Sequence, residues 1–250
     1  MNPYIKDLNR IEFVVTLACT GKCKHCSQGE HTNSDGHIDG TAAAEAVRKA
    51  AEIYDIKSVM TFGGEPLLYP DEVCKIHTAA KDAGIPARQL ITNGFFSHDT
   101  TRMHNVARAL ANSGVNDILL SVDAFHQETI PLEPVKEFAN AVIAEGLPIR
   151  TQPAWLVSAE ADNPYNKKTR EILAGFDALG ICANDGNVIF PSGNALKYLS
   201  EYFDSSKPAV SPYDENPRDI RAVCINPDGS VLGGNICESN IMDILENYTP

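Results

Sequence analysis

The sequence predicts an α/β fold built on a parallel β-sheet, and three observations predict it. Short runs rich in apolar and β-branched residues alternate with amphipathic runs of helical length, glycines follow the amphipathic runs, and polar residues gather where the short runs end. Residues 1–203 hold six such β/α units. Six right-handed units either lie open as a doubly wound sheet or curl into three quarters of a barrel, and periodicity alone leaves both open.

The elements follow one another in regular order. Strands are predicted at 12–18, 58–62, 89–92, 117–122, 148–153 and 187–190. Helices are predicted at 41–54, 70–83, 99–113, 133–145, 167–179 and 195–203. Aspartates cap two of these helices and glycines end four of them: Asp39, Asp99, Gly84, Gly114, Gly146 and Gly180.

The composition changes after residue 203. Residues 204–218 are rich in Ser, Pro, Asp and Asn and are predicted to form a linker or surface loop. Residues 219–250 are predicted to form a small unit, with a β-hairpin of strands 222–226 and 230–232 and a closing helix at 241–247. This unit is too small to fold alone, so the chain divides into a domain of residues 1–203, the linker and the extension.

Charge and composition exclude several classes of function. A formal net charge of −12 and the absence of any long basic run argue against a nucleic-acid partner. No stretch approaches the roughly 20 apolar residues that span a bilayer, and the N-terminus has no apolar core of signal-peptide type. The 7 cysteines, three of them tightly grouped, fit a reducing compartment. The sequence therefore predicts a cytoplasmic protein.

The grouped cysteines have the spacing of a metal site. Cys19, Cys23 and Cys26 directly follow the apolar run at 13–18. Three thiolates supply all but one of the protein ligands of a cubane 4Fe-4S cluster, so one iron stays open for a substrate or cofactor. A structural zinc site completed by His25 or His31 is the rival interpretation, although zinc usually uses paired C-x-x-C knuckles and no second knuckle exists here.

Other distinctive residues fall at the predicted carboxyl ends of strands, where parallel α/β folds gather functional groups. In order along the chain these are Gly63-Gly64-Glu65-Pro66, Thr92-Asn93-Gly94, Ser121-Val122-Asp123, Gln152 and Pro191-Ser192-Gly193. Two adjacent glycines expose backbone groups that bind an amino group, and an aspartate after a buried strand binds ribose hydroxyls. Taken singly, Glu65 and Asp123 are equally explained as helix caps and Asn93 as a turn former.

Together these residues closely resemble the radical S-adenosylmethionine (SAM) superfamily over about residues 11–193. Cys19, Cys23 and Cys26 match its C-x-x-x-C-x-x-C signature, and residues 63–66 match its G-G-E-P motif, which receives the methionyl amino group of SAM. The T-N-G and S-x-D segments match its third and fourth strands. The resemblance implies that the SAM site includes His25, Gly63, Gly64, Glu65, Pro66, Asn93, Ser121 and Asp123. Gln152, at the end of the fifth predicted strand, is predicted to contact the cofactor as well.

The resemblance also implies the fold and the chemistry. It implies a partial (β/α)6 barrel of TIM-barrel type, in which Cys19, Cys23 and Cys26 ligate a 4Fe-4S cluster whose open iron is chelated by SAM. An external one-electron donor such as flavodoxin or ferredoxin reduces the cluster. Reductive cleavage of SAM then yields a 5'-deoxyadenosyl radical that abstracts hydrogen from a bound substrate, and the protein positions the reactants and excludes water.

The tail weakly resembles the SPASM or twitch extensions of peptide-modifying members through residues 226–231. Those extensions place a cysteine five residues after the turn glycine, but Gly234 stands at that position after Gly229. Only Cys224 and Cys237 lie nearby, so the chain is predicted to hold one cluster, and the tail is predicted to act as a lid. Cys182, Cys224 and Cys237 are candidate hydrogen donors, and His126 is a candidate for proton transfer, although buried-core or loop roles explain each of them as well.

The substrate stays open at this point. The tail favours a peptide or protein substrate, whereas the short chain favours a small metabolite, and a glycyl-radical activating enzyme is a third possibility. The alternative of a different class is a non-catalytic iron-sulfur carrier or a zinc-stabilised binding module. Neither of these proteins would need a methionine-binding G-G-E-P turn.

Overall fold

A computed structural model describes residues 2–30, 36–204, 206, 211 and 214–250. Part of the predicted linker at 204–218, and His31 of the alternative zinc site, lie outside the described residues. Within the described part of the chain, no helix has both the length and the apolar character that crossing a bilayer requires.

The strands account for most of the predicted units. In chain order they are β1 Arg10–Val14, β2 Ser58–Phe62, β3 Ala87–Thr92, β4 Asp117–Leu120, β5 Ile149–Thr151, β6 Ala154–Trp155, β7 Asn187–Val188, β8 Ala222–Ile225, β9 Ser230–Val231 and β10 Gly234–Asn235. Six of them form a sheet in the order β5-β4-β3-β2-β1-β8, and every neighbouring pair in it is parallel. The predicted α/β class with a parallel sheet is confirmed.

The helices cover the sheet as predicted, with ends shifted by a few residues. They are α1 Gly40–Ile53, α2 Pro70–Asp82, α3 Thr100–Ser113, α4 Leu132–Ala144, α5 Pro164–Asp177, α6 Gly193–Tyr198 and α7 Ile241–Asn247. Asp39 and Asp99 cap α1 and α3 through their side chains, and Gly114 ends α3 with a φ of 90°. The helix predicted at 195–203 is shorter, because α6 gives way to a 3-10 turn at Ser200–Tyr202.

The sixth predicted strand lies beside the fifth, but outside the main sheet. β7 pairs with β6 in a separate two-stranded sheet, and a single parallel bridge between Thr151 and Ala183 links the two regions. Pro153 interrupts the ladder after β5, since a proline has no N–H to donate. The fifth strand therefore continues as β6 after a break, and the sixth follows it around the same rim.

The extension is built differently from the prediction. β8, predicted as one arm of a hairpin, instead runs parallel to β1 at the edge of the main sheet. The hairpin joins β9 to β10, and its turn residues Leu232 and Gly233 both have positive φ, at 47° and 82°. Two consecutive positive φ values form the turn type that suits a two-residue hairpin, but leucine rarely occupies such a position. The sequence pattern therefore does not indicate this turn.

The extension shares the main hydrophobic core. Val223 and Ile225 of β8 and Leu245 of α7 are buried in the same cluster as Ile5 and Ile11 near the N-terminus. The side chain of Asn2 donates to the carbonyl oxygens of Leu245 at 2.8 Å and Tyr248 at 2.7 Å, which ties the two chain ends together. Among the described residues, none of 219–250 lines the cavity at the rim, so the structure places the extension at the sheet edge and not as a lid.

Candidate active site

A cavity of about 240 Å³ opens at the carboxyl ends of the strands. Its wall is formed by the loop after β1 and by the ends of β2, β3, β4 and β5, with β7 closing one side. The structure brings together nine of the predicted site residues in this wall: Cys19, Cys23, His25, Cys26, Gly63, Gly64, Asn93, Ser121 and Gln152. His126, the candidate for proton transfer, also lines it.

The cysteine loop is held in place from two sides. The backbone N–H of Gly21 donates to Cys19 Sγ at 3.4 Å, and a turn brings the N–H of Cys26 to the carbonyl of Cys23 at 3.2 Å. From α6, the side chain of Asn194 donates to the carbonyl of Cys23 at 3.1 Å, and its backbone N–H donates to that of Cys26 at 2.9 Å. Asn194 was not singled out from the sequence, because its role depends on where α6 packs.

Burial favours the protonated form of all three thiols. Burial raises the pKa of Cys19 to about 11 and also raises the pKa of Cys23 and of Cys26. Metal binding to such a site releases protons, because thiolates and not thiols are the ligands. Burial therefore opposes the thiolate form that a cluster needs, and the positive charge of bound iron would offset this cost.

The two glycines after β2 are required by the cysteine loop itself. A Cβ at Gly63 would lie 2.5 Å from the carbonyl oxygen of Thr16, and a Cβ at Gly64 would lie 2.0 Å from that of Ala18. The N–H of Gly64 donates to Thr16 O at 2.7 Å, and the N–H of Glu65 donates to Ala18 O at 2.8 Å. The glycines thus allow the G-G-E-P turn to bond directly to the segment before Cys19, in addition to lining the cavity.

Glu65 and Pro66 are buried behind the cavity wall and do not line it. The Glu65 carboxylate accepts from the N–H of Leu67 at 2.9 Å, from Thr92 Oγ1 at 2.7 Å and from the N–H of Asn93 at 2.8 Å. Burial raises the pKa of Glu65 to about 7, and these hydrogen bonds oppose that rise. The structure therefore assigns Glu65 to joining the ends of β2 and β3, which corresponds to the capping alternative.

Asp123 is also fully buried, and it takes no part in the cavity wall. One of its oxygens accepts from the backbone N–H groups of Phe125 and His126, and the other accepts from the N–H of Ala154 and from His126 Nδ1 at 2.8 Å. Burial opposes its ionisation, but the adjacent His126 outweighs burial and holds the pKa of Asp123 well below its usual range. Instead of facing a ribose, Asp123 orients His126 toward the cavity.

Two buried polar atoms in the wall have no hydrogen-bond partner among the described residues. They are His25 Nδ1 and Gln152 Oε1. Burial lowers the pKa of His25 to about 4, so its ring is neutral near pH 7. Buried polar atoms are nearly always paired in folded proteins, so these two atoms are available to a polar ligand in the cavity.

Comparison with known proteins identifies the family of the chain. The sequence model of the family described as "Radical SAM superfamily" matches residues 13–149, more than half of the chain. The chain belongs to the radical SAM superfamily. The match ends at residue 149, so the likeness of the tail to SPASM or twitch extensions stays a prediction.

Several curated relatives carry the same name. A "Probable GTP 3',8-cyclase" of Saccharolobus islandicus is 31% identical over 212 residues, which are 80% of this chain and 66% of that protein. Another, of Methanocaldococcus jannaschii, is 26% identical over 123 residues, 49% of this chain and 39% of that protein. The chain thus spans between 39% and 66% of the length of these two relatives.

Solved structures share the fold at low identity. The structure described as "Native anSMEcpe with bound AdoMet and Cp18Cys peptide" has a TM-score of 0.60 at 13% identity, and covers 97% of this chain and 81% of its own. "Crystal structure of BtrN in complex with AdoMet and 2-DOIA" has a TM-score of 0.50 at 16% identity, with 99% and 84% covered. These are radical SAM folds with partial TIM barrels, which confirms the barrel implied by the resemblance.

Family membership establishes that the protein is an enzyme of the radical SAM class, and the alternative of a non-catalytic carrier or zinc module is wrong. The family uses a 4Fe-4S cluster and SAM. The residues present fit both groups: three thiols share one wall, and unpaired polar atoms and two glycines line the space beside them. When bound, the cluster would supply the electron that breaks a carbon-sulfur bond of SAM. Cys19, Cys23 and Cys26 would hold the cluster, and the end of β2 would hold SAM.

Proposed function

We propose that this protein uses one externally supplied electron to cleave SAM into methionine and a 5'-deoxyadenosyl radical, which then abstracts a hydrogen atom from a small organic substrate. The observation that carries the proposal is that Cys19, Cys23 and Cys26 line the same cavity as the two glycines of the G-G-E-P turn, Gly63 and Gly64. The bonds from Gly64 and Glu65 to the segment before Cys19 support it, because they fix the cofactor-binding turn relative to the cluster loop.

The proposed site residues divide into two groups. His25, Gly63, Gly64, Asn93, Ser121 and Gln152 face the cavity and are proposed to surround SAM and the cluster. Glu65, Pro66 and Asp123 are proposed to act from behind it, by positioning the first group. Asp123 accepts a hydrogen bond from His126 Nδ1, which leaves Nε2 of the ring for a polar group in the cavity.

A small substrate is favoured over a peptide. The curated relatives are named for a reaction of GTP, which is a small molecule, whereas the structure solved with a peptide is similar to this chain in fold alone. A peptide or protein substrate, and the role of a glycyl-radical activating enzyme, therefore receive less support than a small metabolite.

A purine nucleoside triphosphate is the second candidate substrate, and the 31% identical relative favours it. The lining of the cavity speaks against it. Among the described residues that form the wall, none is a lysine or an arginine. A triphosphate is usually bound by such side chains or by a metal ion, so the substrate proposed here carries few phosphates or none.

The electron is proposed to come from a small carrier such as a flavodoxin or ferredoxin, and no nucleic acid is proposed to take part. The net charge of −12 supports the exclusion of nucleic acid, because a polyanion would be repelled. In the laboratory, dithionite replaces the carrier.

The test is anaerobic reconstitution with iron and sulfide, followed by dithionite and SAM, with 5'-deoxyadenosine as the measured product. Wild-type protein is expected to form it, and Cys23→Ala is expected to lose both the cluster absorbance and the product. Cys182→Ala is the matched control, because Cys182 is exposed and lies outside the cavity wall. Absence of 5'-deoxyadenosine from wild-type protein with an intact cluster would refute the proposal. Adding GTP to the same mixture and measuring its consumption separates the two substrate candidates.

A further inference from the structure

The side chain of Asn93 points at the sulfur of a proposed cluster ligand. Asn93 Nδ2 lies 3.6 Å from Cys19 Sγ and 3.1 Å from Thr20 Oγ1. The sequence predicts Asn93 as a contact for SAM, but these distances assign its amide donor to the cysteine loop.

The orientation of this amide is fixed by its other end. Asn93 Oδ1 accepts from the backbone N–H of Phe95 at 2.8 Å. If the amide were turned over, its NH₂ group would face that N–H, donor against donor, and an oxygen would face the Cys19 sulfur. The amide nitrogen therefore has to lie on the side of Cys19.

Both partners of this contact are held by Glu65. Its backbone N–H donates to the carbonyl of Ala18, the residue before Cys19, at 2.8 Å. Its carboxylate accepts from the backbone N–H of Asn93 at 2.8 Å and from Thr92 Oγ1 at 2.7 Å. One buried residue thus fixes the separation between the donor and the sulfur, so the N–H···S contact does not depend on a flexible loop.

We propose that Asn93 is a positioning residue that donates an N–H···S hydrogen bond to Cys19 and thereby raises the reduction potential of the cluster. Hydrogen bonds to ligand sulfurs stabilise the more negative, reduced state of an iron-sulfur cluster and are one determinant of its potential. Reduction is the step that precedes SAM cleavage, so Asn93 makes the cluster easier to reduce by a weak physiological donor. The inference rests on the proposed function, since it needs a cluster at Cys19, Cys23 and Cys26.

The test is the midpoint potential of the reconstituted cluster without SAM, followed by EPR in a redox titration. In Asn93→Ala, loss of one hydrogen bond is expected to reduce the equilibrium constant for reduction about threefold to tenfold. For a one-electron couple this equals a shift of about 30 to 60 mV to more negative potential. Asn93→Asp keeps the shape and the acceptor for Phe95 but removes the donor and adds charge, so its shift is expected to be larger.

Thr20→Val is the matched control. It removes the other partner of the same amide nitrogen and leaves the hydrogen bond to Cys19. The equilibrium constant for reduction of its cluster is therefore expected to stay within about twofold of the wild-type value. Iron content and the EPR line shape are measured for every variant to establish that the cluster is intact. If Asn93→Ala loses the cluster, Asn93→Leu, which has nearly the same shape and adds no charge, replaces it as the neutral variant.

The outcomes separate this inference from its alternatives. Unchanged potentials in both Asn93 variants, with weakened SAM binding, would overturn it and assign the side chain to SAM. A shift of the midpoint potential to more negative values in both variants supports the inference. If wild-type protein shows such a dependence on Asn93 but forms no 5'-deoxyadenosine, only the proposed cleavage of SAM fails. A wild-type chain that binds no cluster would overturn both.

Discussion

Replacing Gly64 by alanine tests how tightly the G-G-E-P turn is bonded to the cysteine loop. The new Cβ would lie 2.0 Å from the carbonyl oxygen of Ala18 and 2.6 Å from its carbon, so the two backbones must separate by about 1 Å or more to reach ordinary contact. That separation breaks the bonds from Gly64 N to Thr16 O and from Glu65 N to Ala18 O, which measure 2.7 and 2.8 Å. Each buried group left without its partner costs about 1 to 3 kcal/mol, so Gly64→Ala is expected to lower the free energy of unfolding by roughly 2 to 6 kcal/mol.

The assay is urea unfolding of the metal-free protein, together with iron content after reconstitution. Gly175→Ala is the matched control, because a Cβ there meets no atom within 4 Å and the position lies inside α5. A glycine in a helix interior costs about 0.5 to 1 kcal/mol relative to alanine, so the control is expected to be slightly more stable than wild type. If Gly64→Ala unfolds at the same urea concentration as the control and binds iron normally, the hydrogen bonds between the turn and the cysteine loop are not needed for stability or for cluster binding.

Three further predictions concern pH and the remaining cysteines. Burial lowers the pKa of His77 to about 3, so as the pH falls this histidine is protonated in the unfolded chain before it is protonated in the folded protein. Relative to His77→Leu, wild type is therefore expected to lose about 2 to 3 kcal/mol of unfolding free energy between pH 6.5 and 4.5. A difference between the two proteins that stays constant over this range would contradict the prediction. Burial raises the pKa of Glu65 to about 7, so the stability contributed by this residue falls as the pH rises, opposite to the effect of His77. Relative to Glu65→Gln, wild type is expected to lose about 3 kcal/mol of unfolding free energy as the pH rises from 4.5 through 7, measured by urea unfolding across that range. The double variant Cys224→Ala/Cys237→Ala is expected to keep the wild-type iron content, since both thiols are exposed and outside the cavity wall, and a loss of iron would indicate a second cluster.

The motif residues and the β/α order were predictable from the sequence because each depends on local spacing. The three cysteines, the two glycines and Asn93 fall at strand ends, and strand ends of a parallel sheet share one rim. Whether a residue lines the cavity or lies buried behind its wall was not predictable. Asp123 follows its strand as a ribose-binding aspartate would, but the N–H of Ala154, 31 residues away, completes its burial.

The edge of the sheet shows the same limit. The run at 222–225 reads as a strand from its own residues, but its partner is β1, more than 200 residues earlier. A proline-aspartate-glycine turn after it favours a local hairpin, whereas the hairpin forms one turn later at Leu232 and Gly233. Strand pairing over such a separation is decided by the shared core of Val223, Ile225 and Ile11, which no local pattern contains.

Asn194 illustrates a contribution that depends on packing alone. It lies at the start of α6, and it bonds to the backbone of the cysteine loop through both its side chain and its N–H. Asparagine near a helix start is ordinary in a sequence, and nothing in its neighbours indicates a partner about 170 residues away.

The central claim is that the cavity holds SAM directly against a cluster bound by the three cysteines. The most direct measurement is the EPR spectrum of the dithionite-reduced, reconstituted protein, recorded with and without SAM. The account predicts a reduced 4Fe-4S signal that changes when SAM is added to wild type, and no such signal in Cys19→Ala. An intact cluster whose spectrum is the same with and without saturating SAM would contradict the account.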